Sequence, residues 1–498
     1  HDAMIHEKRC ADSPGGSAHG YFIGGIYEYE KHFTAPEEWR NKTLMLEFEG
    51  VYKNAEVCIN GKKAGNRPYG YVPFVICMDE YLNYGKENII SVTVDNSQLP
   101  NSRWYTGSGI YRPVNLIIGE KQHILYQGVR ITTLSYSPAR IRIETAVSPE
   151  AENADVSVKI MDHEQCIASG NGRITELDIP DAKLWSTEFP FLYTCRVRFE
   201  EDEAEEIFGI RTIEWSAENG FLMNGERVIL RGACIHHDNG VLGACCYPEA
   251  EERKIRILKE NGYNAIRSAH NPCSKALLDA CDRRGMLVMD EFVDVWYIHK
   301  TEYDYVNHFA KWWKQDLKDM VEKDYNHPSV ILYSTGNEVS ETAQERGIRL
   351  TGQMTEYLHS LDATRPVTCG INIFFNFLSS IGFGVYSDKK AKKEASRSGG
   401  KKKAVGSEFF NNLAGILGSK TMKIGATLHG CDVKTRDAFA NMDIAGYNYG
   451  IYRYGKDLKK YPKRLILGSE TFCSDAYAFW EMAKIHPMIL GCIFAISQ

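Results

Sequence analysis

The sequence lacks two features that would each point to a large class of binding partner. Its 498 residues contain no apolar run close to the roughly 18 residues that a membrane-spanning helix needs. It has no excess of positive charge either, because the net charge is −6 and the isoelectric point is near 6.2. A nucleic-acid-binding protein usually carries a basic patch. We therefore expect no membrane and no nucleic acid as partner, and a small molecule or glycan instead.

The cysteines also lack an organised pattern. There are 14 of them, scattered along the chain and including the adjacent pair Cys245 and Cys246. Their spacing is neither that of a disulfide-rich secreted protein nor that of a zinc ribbon. This usage favours a reducing compartment, and we expect a cytoplasmic protein. Because the chain begins at His1 and not at a methionine, a removed signal peptide stays open as an alternative.

The chain does have the length and the apolar content, 43%, for two to four globular domains. Residues 1–119 contain short runs of alternating apolar and polar residues, and an Asn60-Gly61 pair typical of a tight hairpin. This pattern predicts an antiparallel β-sandwich. Residues 120–213 repeat it and predict a second, smaller sandwich of immunoglobulin size, although the Cys-Trp-Cys spacing of antibody domains is not evident.

From residue 214 to residue 498, strand-like segments alternate with helical ones, which is typical of parallel βα units. Eight such strands predict a (β/α)8 TIM barrel, and they lie at 228–235, 264–268, 286–290, 329–335, 366–369, 442–447, 464–468 and 488–495. A long insertion from about 374 to 441 interrupts the alternation. Its lysine-rich part favours a solvated flexible loop over a binding patch, and whether residues 409–413 pack over the barrel mouth stays open.

Two glutamates each come directly after an apolar run that is predicted to be a buried barrel strand. Glu338 follows the fourth strand and Glu470 follows the seventh. In a TIM barrel the strand ends converge on one site, so these carboxyl groups can meet although they are far apart in sequence. A glycosidase needs such a pair, one as proton donor and one as nucleophile or base. For either glutamate alone, a helix cap or a lysine pair is an equally good interpretation.

Two other patterns resemble functional sites but lack the features that such sites need, the first as a zinc site and the second as an alternative to Glu470. His236, His237, Asp238 and His270 have side chains that can bind zinc, but no helical His-x-x-x-His or Glu-x-x-His spacing accompanies them. Gly406-Ser407-Glu408 has the same sequence as Gly468-Ser469-Glu470, the segment at the end of the seventh predicted strand. Because its upstream residues are lysine-rich and not strand-like, Glu408 has no rigid support.

Four segments together resemble glycoside hydrolase family 2, the β-galactosidase and β-glucuronidase family. Residues 103–112 are similar to the stretch that closes the family's sugar-binding sandwich. Residues 230–238 and 264–272 are similar to its first two barrel strands, and 326–338 to its acid/base signature. The resemblance runs through almost the whole chain.

This resemblance implies three domains: a jelly-roll sugar-binding β-sandwich, an immunoglobulin-like β-sandwich and a TIM-barrel catalytic domain. It implies a retaining exo-β-glycosidase, which we expect to hydrolyse terminal β-D-galactosides. A β-glucuronidase of the same family, or a catalytically impaired carbohydrate-binding remnant, is the alternative. The expected partner is a β-linked glycoside or oligosaccharide. The full-length protein is expected to be a homo-oligomer. Neither a metal nor a cofactor is expected.

The resemblance also implies residue roles. Glu338 would be the acid/base, Glu470 the nucleophile, and Tyr449 the phenol that orients the nucleophile. Tyr447 lies two residues earlier and is expected on the same face, so it is the competing choice for that role and also fits a barrel-filling aromatic. Asn337 would bind the sugar 2-hydroxyl. The other expected substrate-contacting or supporting residues are Arg267, His237, Asp238, His270, Asp290, Glu291 and Tyr447.

The sequence departs from the family pattern at both ends. Ala495 occupies the position where the family's eighth strand normally ends in a tryptophan that lines the sugar pocket. His1-Asp2 resembles the interior of the family's Pro-His-Asp segment. We therefore expect the chain to be a fragment, with one wall of the pocket missing and its barrel still closed.

Overall fold

The computed structural model of the protein describes residues 1–149, 155–384, 393 and 418–495. Within these ranges no helix combines the length and the apolar composition needed to cross a membrane. Single turns of 3₁₀ helix are Met4–His6, Gly16–His19, Glu37–Asn41, Gly240–Leu242, Ser340–Ala343, Ile451–Arg453 and Cys473–Asp475.

The amino-terminal region is an antiparallel β-sandwich. Its strands are β1 Ile26–Thr34, β2 Thr43–Phe48, β3 Val51–Tyr52, β4 Ala55–Ile59, β5 Lys62–Arg67, β6 Phe74–Cys77, β7 Glu87–Asp95, β8 Gly109–Ile110 and β9 Val114–Gly119. The larger sheet has the order β1-β7-β4-β5 and the sheet facing it has the order β6-β2-β9. The predicted Asn60-Gly61 turn joins β4 to β5, and both of its residues have positive φ, as a tight hairpin requires.

The second region is an immunoglobulin-like sandwich. Its strands are β10 Ile124–Tyr136, β11 Ala139–Val147, β12 Val156–Asp162, β13 Gln165–Asn171, β14 Ile174–Asp178, β15 Tyr193–Phe199 and β16 Asp202–Phe208. Sheets β10-β11-β14 and β13-β12-β15-β16 enclose an apolar core that includes Ile141, Val158 and Phe199. A small sheet of β17 Ile213–Ser216, β18 Gly220–Met223 and β19 Glu226–Arg227 packs its apolar side chains against the amino ends of the following strands.

The remaining strands form a closed, eight-stranded parallel barrel, which confirms the predicted fold. They are β20 Leu230–Ile235, β21 Ala265–Ser268, β22 Leu287–Glu291, β23 Val330–Asn337, β24 Val367–Asn372, β25 Ile444–Asn448, β26 Leu465–Thr471 and β27 Ile489–Ala495. The last strand pairs with the first, from Leu230 opposite Gly491 to Cys234 opposite Ala495. Because these strands are buried on both faces, they are apolar almost throughout, which is why the sequence revealed them.

The described helices around the barrel are α1 Pro248–Glu260, α2 Lys275–Arg284, α3 Val306–Asp324, α4 Glu345–Leu361, α5 Ile373–Ser380, α6 His429–Phe439, α7 Tyr454–Lys460 and α8 Ala476–Ile485. Both ends of the insertion between the fifth and sixth strands are helical, whereas its lysine-rich middle, for which a flexible loop is expected, lies almost wholly outside the described residues. Helix α5 begins directly after β24, residues 418–425 are helical, and α6 buries Cys431 and Phe439 in the barrel's outer core. Residues 401–403, Glu408 and residues 409–413 lie outside the described residues.

The first sandwich packs directly on the barrel. Tyr52, Tyr69, Tyr71 and Tyr111 belong to the same apolar cluster as the barrel helices. The Arg112 guanidinium donates to the Pro272 carbonyl at 2.9 Å, which fixes the two regions at the carboxyl end of β21. The loop between β7 and β8 is thereby held over the barrel mouth.

Candidate active site

Glu338 and Glu470 both lie at the carboxyl ends of barrel strands. Glu338 directly follows β23, as predicted, and its φ of 45° is unusual for a residue other than glycine. Glu470 is not beyond the seventh strand as expected, because β26 continues to Thr471, which pairs with Phe494. The nucleophile candidate is therefore part of a strand, which restricts its movement.

The two carboxylates share one hydrogen-bond donor. The Asn448 amide, at the end of β25, lies 3.4 Å from Glu338 Oε1 and 3.2 Å from Glu470 Oε2, so these two oxygens are at most about 6.6 Å apart. A second amide, that of Asn372 at the end of β24, donates to Glu338 Oε1 at 2.8 Å. Four neighbouring strand ends, those of β23 to β26, thus bring the two acids to one point.

Arg267 on β21 is fully buried and contacts Glu470 from below. Its guanidinium donates to Glu470 Oε2 at 2.9 Å, to Glu291 Oε2 at 2.7 Å and to Asn337 Oδ1 at 2.8 Å. The Tyr449 hydroxyl donates to the other oxygen of Glu470 at 2.6 Å. Burial opposes ionisation of Glu470, but Arg267, His270 and Tyr449 together outweigh it, and the pKa of Glu470 lies below its ordinary value.

Glu338 has the opposite electrostatic environment. Burial and the charge of Glu470 raise the pKa of Glu338 above its ordinary value, and Arg103 and Lys300 only partly offset them. The Arg103 guanidinium lies 3.8 Å from Glu338 Oε2. Two carboxyl groups in one site therefore have pKa values displaced in opposite directions, one favouring the protonated and one the ionised form.

A charge network connects the first sandwich to this pair. Arg103, in the loop between β7 and β8, binds both oxygens of Asp294, at 3.0 Å and 2.6 Å. Lys300 donates to Asp294 Oδ1 at 2.7 Å and to the Asn337 carbonyl at 2.6 Å. The Asn337 amide donates to Asp294 Oδ1 at 2.9 Å, and its second amide hydrogen has no partner among the described residues. Burial disfavours the Asp294 charge, yet the two cations hold its pKa well below the usual range.

His270 lies at the barrel mouth, whereas Glu291 lies beneath it. The Nδ1 atom of His270 is 2.6 Å from Glu291 Oε1, and the Trp104 ring packs on the imidazole edge-on at 5.6 Å. Glu291 is fully buried and also accepts from the Ser334 hydroxyl at 2.7 Å. Because its oxygens are already bound by Arg267, His270 and Ser334, the position of Glu291 fits the supporting role, one of the two roles expected for it.

Asp290 is also placed away from the site. It is fully buried, accepts from the Ser268 hydroxyl at 2.7 Å and from the Cys273 amide at 2.8 Å, and pairs with Lys323 at 3.2 Å. Strand side chains alternate in direction, so consecutive residues such as Asp290 and Glu291 face opposite sides. The position of Asp290 therefore fits a supporting role, one of the two roles expected for it.

The two histidines that follow β20 have different neighbours. His237 packs edge-on against Tyr71 and Tyr111, and its Nε2 lies 3.0 Å from the Thr106 carbonyl. Burial lowers the pKa of His237 to about 3, so it is neutral. His237 is thus packed among residues of the first sandwich, and its expected substrate contact stays a prediction. His236, considered above only as a metal ligand, stacks on Trp104 at 5.7 Å, and Asp238 lines an open cleft beside Arg103.

Tyr447 and Tyr449 do not share a face as expected. Tyr449 lies beyond the end of β25 with a φ of 57°, so the two-residue alternation of a strand no longer applies there. Tyr447 is fully buried, stacks on Phe439 and donates its hydroxyl to Asp457 at 2.5 Å. A substrate contact by Tyr447 is therefore wrong, and it is the barrel-packing aromatic of the two.

Sequence reasoning missed Asn372, Asn448, Asp294 and Lys300, and it cited Arg103 only as part of a motif. Asn372 and Asn448 could have been found, since both end a barrel strand and strand ends build the site. The contact between Arg103 and Asp294 joins residues 191 positions apart, and no local pattern signals it.

Among the described residues, one group of side chains could together hold a metal ion: Asp279, Asp282 and His327. It lies at the amino end of β23, where Asp282 accepts from the Ser329 amide at 3.1 Å. This is the end of the barrel opposite to Glu338 and Glu470, so the group has no part in their chemistry.

Three family profiles match the chain in order. They are the sugar binding domain of glycosyl hydrolases family 2 at residues 22–119, the family 2 domain at residues 127–211, and the family 2 TIM barrel domain at residues 216–409. A solved structure of a glycosyl hydrolase family 2 member from Bacteroides cellulosilyticus superposes with a TM-score of 0.82 and 34% identity, covering 98% of this chain and 58% of that one.

Curated relatives have both expected activities in their names. The β-galactosidase BoGH2A of Bacteroides ovatus is 36% identical over 425 residues, which are 75% of this chain and 50% of the relative. A β-glucuronidase of Bacteroides fragilis is 27% identical over 389 residues, 70% of this chain and 55% of the relative. The chain thus spans about half the length of these relatives. Its three matched domains, its barrel and its structural neighbours together show that the chain belongs to glycosyl hydrolase family 2.

Proposed function

We propose that the protein is a retaining exo-β-glycosidase that hydrolyses terminal β-D-galactosides, with Glu338 as acid/base and Glu470 as nucleophile. The observation that carries this proposal is the Asn448 amide between the two carboxylates, which limits their nearest bridged oxygens to about 6.6 Å. Retaining enzymes hold their carboxyl groups about 5–5.5 Å apart, whereas inverting enzymes leave about 6.5–9.5 Å for a water molecule. An upper bound of about 6.6 Å leaves out almost the whole inverting range, and this favours the retaining mechanism.

The opposite pKa displacements support the assignment of roles. Glu338, with its raised pKa, keeps a proton for the leaving oxygen, whereas Glu470, with its lowered pKa, attacks the anomeric carbon as a carboxylate. The bond between Glu470 and the sugar forms as the glycosidic bond breaks. Once Glu470 is esterified its charge is gone, so the pKa of Glu338 falls, and Glu338 can take a proton from the water that releases the sugar.

Asn337 and Tyr449 complete this arrangement. The unpartnered amide hydrogen of Asn337 is available to a sugar 2-hydroxyl, a contact that strengthens in the transition state. Tyr449 and Arg267 each bind one oxygen of Glu470, so both oxygens are held before the sugar arrives. Such fixed geometry keeps the nucleophile aligned without reorganisation during the reaction.

The test is to react the protein with aryl β-galactosides and with a 2-deoxy-2-fluoro galactoside that traps the covalent intermediate. The trapped sugar is expected on Glu470 in a peptide map and absent in Glu470→Gln. Glu481→Gln, the same change on the surface of α8, is the matched control and should label normally. Label on Glu291 or Glu408 would contradict the proposal. An aryl β-glucuronide in the same series tests the alternative specificity.

One observation favours a second candidate, a carbohydrate-binding protein with impaired catalysis. The eighth strand ends at Ala495 opposite Cys234, so two small side chains adjoin at this edge of the barrel mouth. The aromatic wall that the family resemblance predicts is therefore not supplied by residue 495, and a sugar would stack less well. Galactose binding without any turnover of activated aryl galactosides would support this candidate over the hydrolase.

A further inference from the structure

A cavity that is partly open to solvent lies between the first sandwich and the barrel. Several residues of the candidate active site line it, among them Arg103, His270 and Asp294. Its lining also includes Lys53, which follows β3 in the first sandwich and takes no part in the chemistry described above. A sugar bound at Glu338 and Glu470 would therefore lie beside this cavity, and a substituent on that sugar could enter it.

Lys53 is a cation without a partner carboxylate. Among the described residues its ammonium group has one hydrogen-bond partner, the Tyr303 carbonyl at 2.9 Å, although an ammonium group can donate three hydrogen bonds. Burial lowers the pKa of Lys53 to about 8, and the charges of Asp304 and Asp95 offset this only partly. His308 and His19 also face Lys53, and neither supplies a negative charge.

The carboxylates that line the cavity are already occupied. Asp304 accepts from the backbone amides of Lys300 and Thr301 at 2.7 Å and 2.9 Å, and its Oδ1 lies 2.7 Å from the ring of His299. Asp294 is bound by Arg103 and Lys300, as described above. The Thr301 hydroxyl lines the same cavity, is buried and has no hydrogen-bond partner in the described structure. The cavity therefore offers an unused cation and an unused hydroxyl, and no unused carboxylate.

We propose that this cavity is an anion-accepting subsite, in which Lys53 binds a carboxylate, sulfate or phosphate group carried by the sugar that is cleaved. The inference rests on the proposed function and extends it, because it makes acidic β-glycosides the preferred substrates. A charged oxygen bound to an ammonium forms a charge-assisted hydrogen bond, which is stronger than one between neutral groups. The bound anion would replace the counter-charge that the protein does not provide.

Binding can be measured without turnover, which separates this proposal from the proposed function. Calorimetric titration compares D-galactose with galactose 6-sulfate, galactose 6-phosphate and D-galacturonate, so that the three anionic groups are distinguished. The variants are Lys53→Met, Lys53→Arg and Lys311→Met. Lys311 is exposed on α3 one turn after His308 and does not line the cavity, so Lys311→Met is the matched change of charge.

We expect at least one acidic sugar to bind the wild-type protein roughly tenfold more tightly than galactose. Lys53→Met should remove this preference while leaving the affinity for galactose unchanged, Lys53→Arg should keep most of it, and Lys311→Met should keep it fully. The preference should also decline as the pH rises through about 8, where Lys53 loses its charge. An unchanged preference in Lys53→Met would overturn the proposal, as would acidic sugars that bind no better than galactose.

The same series of aryl glycosides then tests activity. If acidic sugars bind through Lys53 but no glycoside is cleaved, the proposed function fails and the subsite stands. If neutral galactosides are cleaved and Lys53→Met alters kcat/KM for neutral and acidic substrates by the same factor, the subsite fails and the proposed function stands.

Discussion

Replacing Arg267 by methionine should disable the nucleophile and weaken the barrel together. Arg267 is fully buried and is the one residue described above that binds both Glu291 and Glu470. Methionine fills a similar volume but leaves both carboxylates without their cation. The pKa of Glu470 should then rise, because burial would act without the opposing charge.

The loss of stability in Arg267→Met can be bounded from the buried contacts of Arg267. Removing one partner of a buried ion pair costs about 3–5 kcal/mol, and 1 kcal/mol corresponds to about 2–4 °C in melting temperature for a domain of this order of size. We therefore expect a fall on the order of 10 °C. A shift of one pKa unit corresponds to about 1.4 kcal/mol, which is less than half of the expected loss of about 3–5 kcal/mol. The pKa of Glu470 should therefore rise by at least about one unit, and the acid limb of kcat/KM should move upward by the same amount.

The sign of the pH dependence is fixed by the direction of the shift. Because Glu470 has a lowered pKa in the folded protein, its contribution to stability is present above its ordinary pKa and is lost as the pH falls through the lowered value. The stability difference between wild type and Arg267→Met should thus be largest at neutral pH and should narrow in acid.

The assay combines thermal unfolding from pH 3 to pH 8 with the pH profile of aryl galactoside hydrolysis. Arg211→Met is the matched control, since Arg211 is buried too but donates to the Pro328 and Val330 carbonyls at the other end of the barrel. It should lower the melting temperature without moving the acid limb. An acid limb that stays in place in Arg267→Met would refute the reasoning.

Three further changes test single roles. Glu338→Ala should slow substrates with poor leaving groups by about 10²–10⁴-fold and activated aryl glycosides far less, because the latter need little protonation; equal losses in the two substrate series would argue against an acid. Asn337→Ala should lower kcat more than it raises KM, since its amide acts mainly in the transition state, and initial-rate kinetics showing only a KM effect would assign it to ground-state binding. Ala495→Trp should raise kcat/KM for aryl galactosides roughly three- to tenfold, because aromatic stacking contributes about 0.5–1.5 kcal/mol beyond area burial; an unchanged kcat/KM would place the pocket wall elsewhere.

The barrel was predictable because its signal is local. A strand buried on both faces is apolar along most of its length, so residues 329–335 and 464–468 were recognised without any knowledge of their neighbours. Glu338 and Glu470 were then selected because the active site of a TIM barrel lies at the carboxyl ends of its strands. The same reasoning failed where the chain leaves regular strand alternation. The φ of 57° at Tyr449 turns its side chain to a different face from that of Tyr447, and the sequence 446–450 does not predict this backbone conformation.

The positions and kinds of the proposed catalytic groups were therefore determined by the sequence itself, through strand periodicity and through residue types that occur at strand ends. Only the tertiary structure decided their charge states and neighbours. The pKa of Glu338 is raised by burial and by the charge of Glu470. The pKa of Glu470 is lowered because Arg267 contacts it. Arg103 reaches Asp294 across 191 residues, and Lys53 lines the cavity beside the site, only because one sandwich packs on the barrel. Electrostatic interactions depend on distance in space and on burial, and neither is encoded in local sequence spacing.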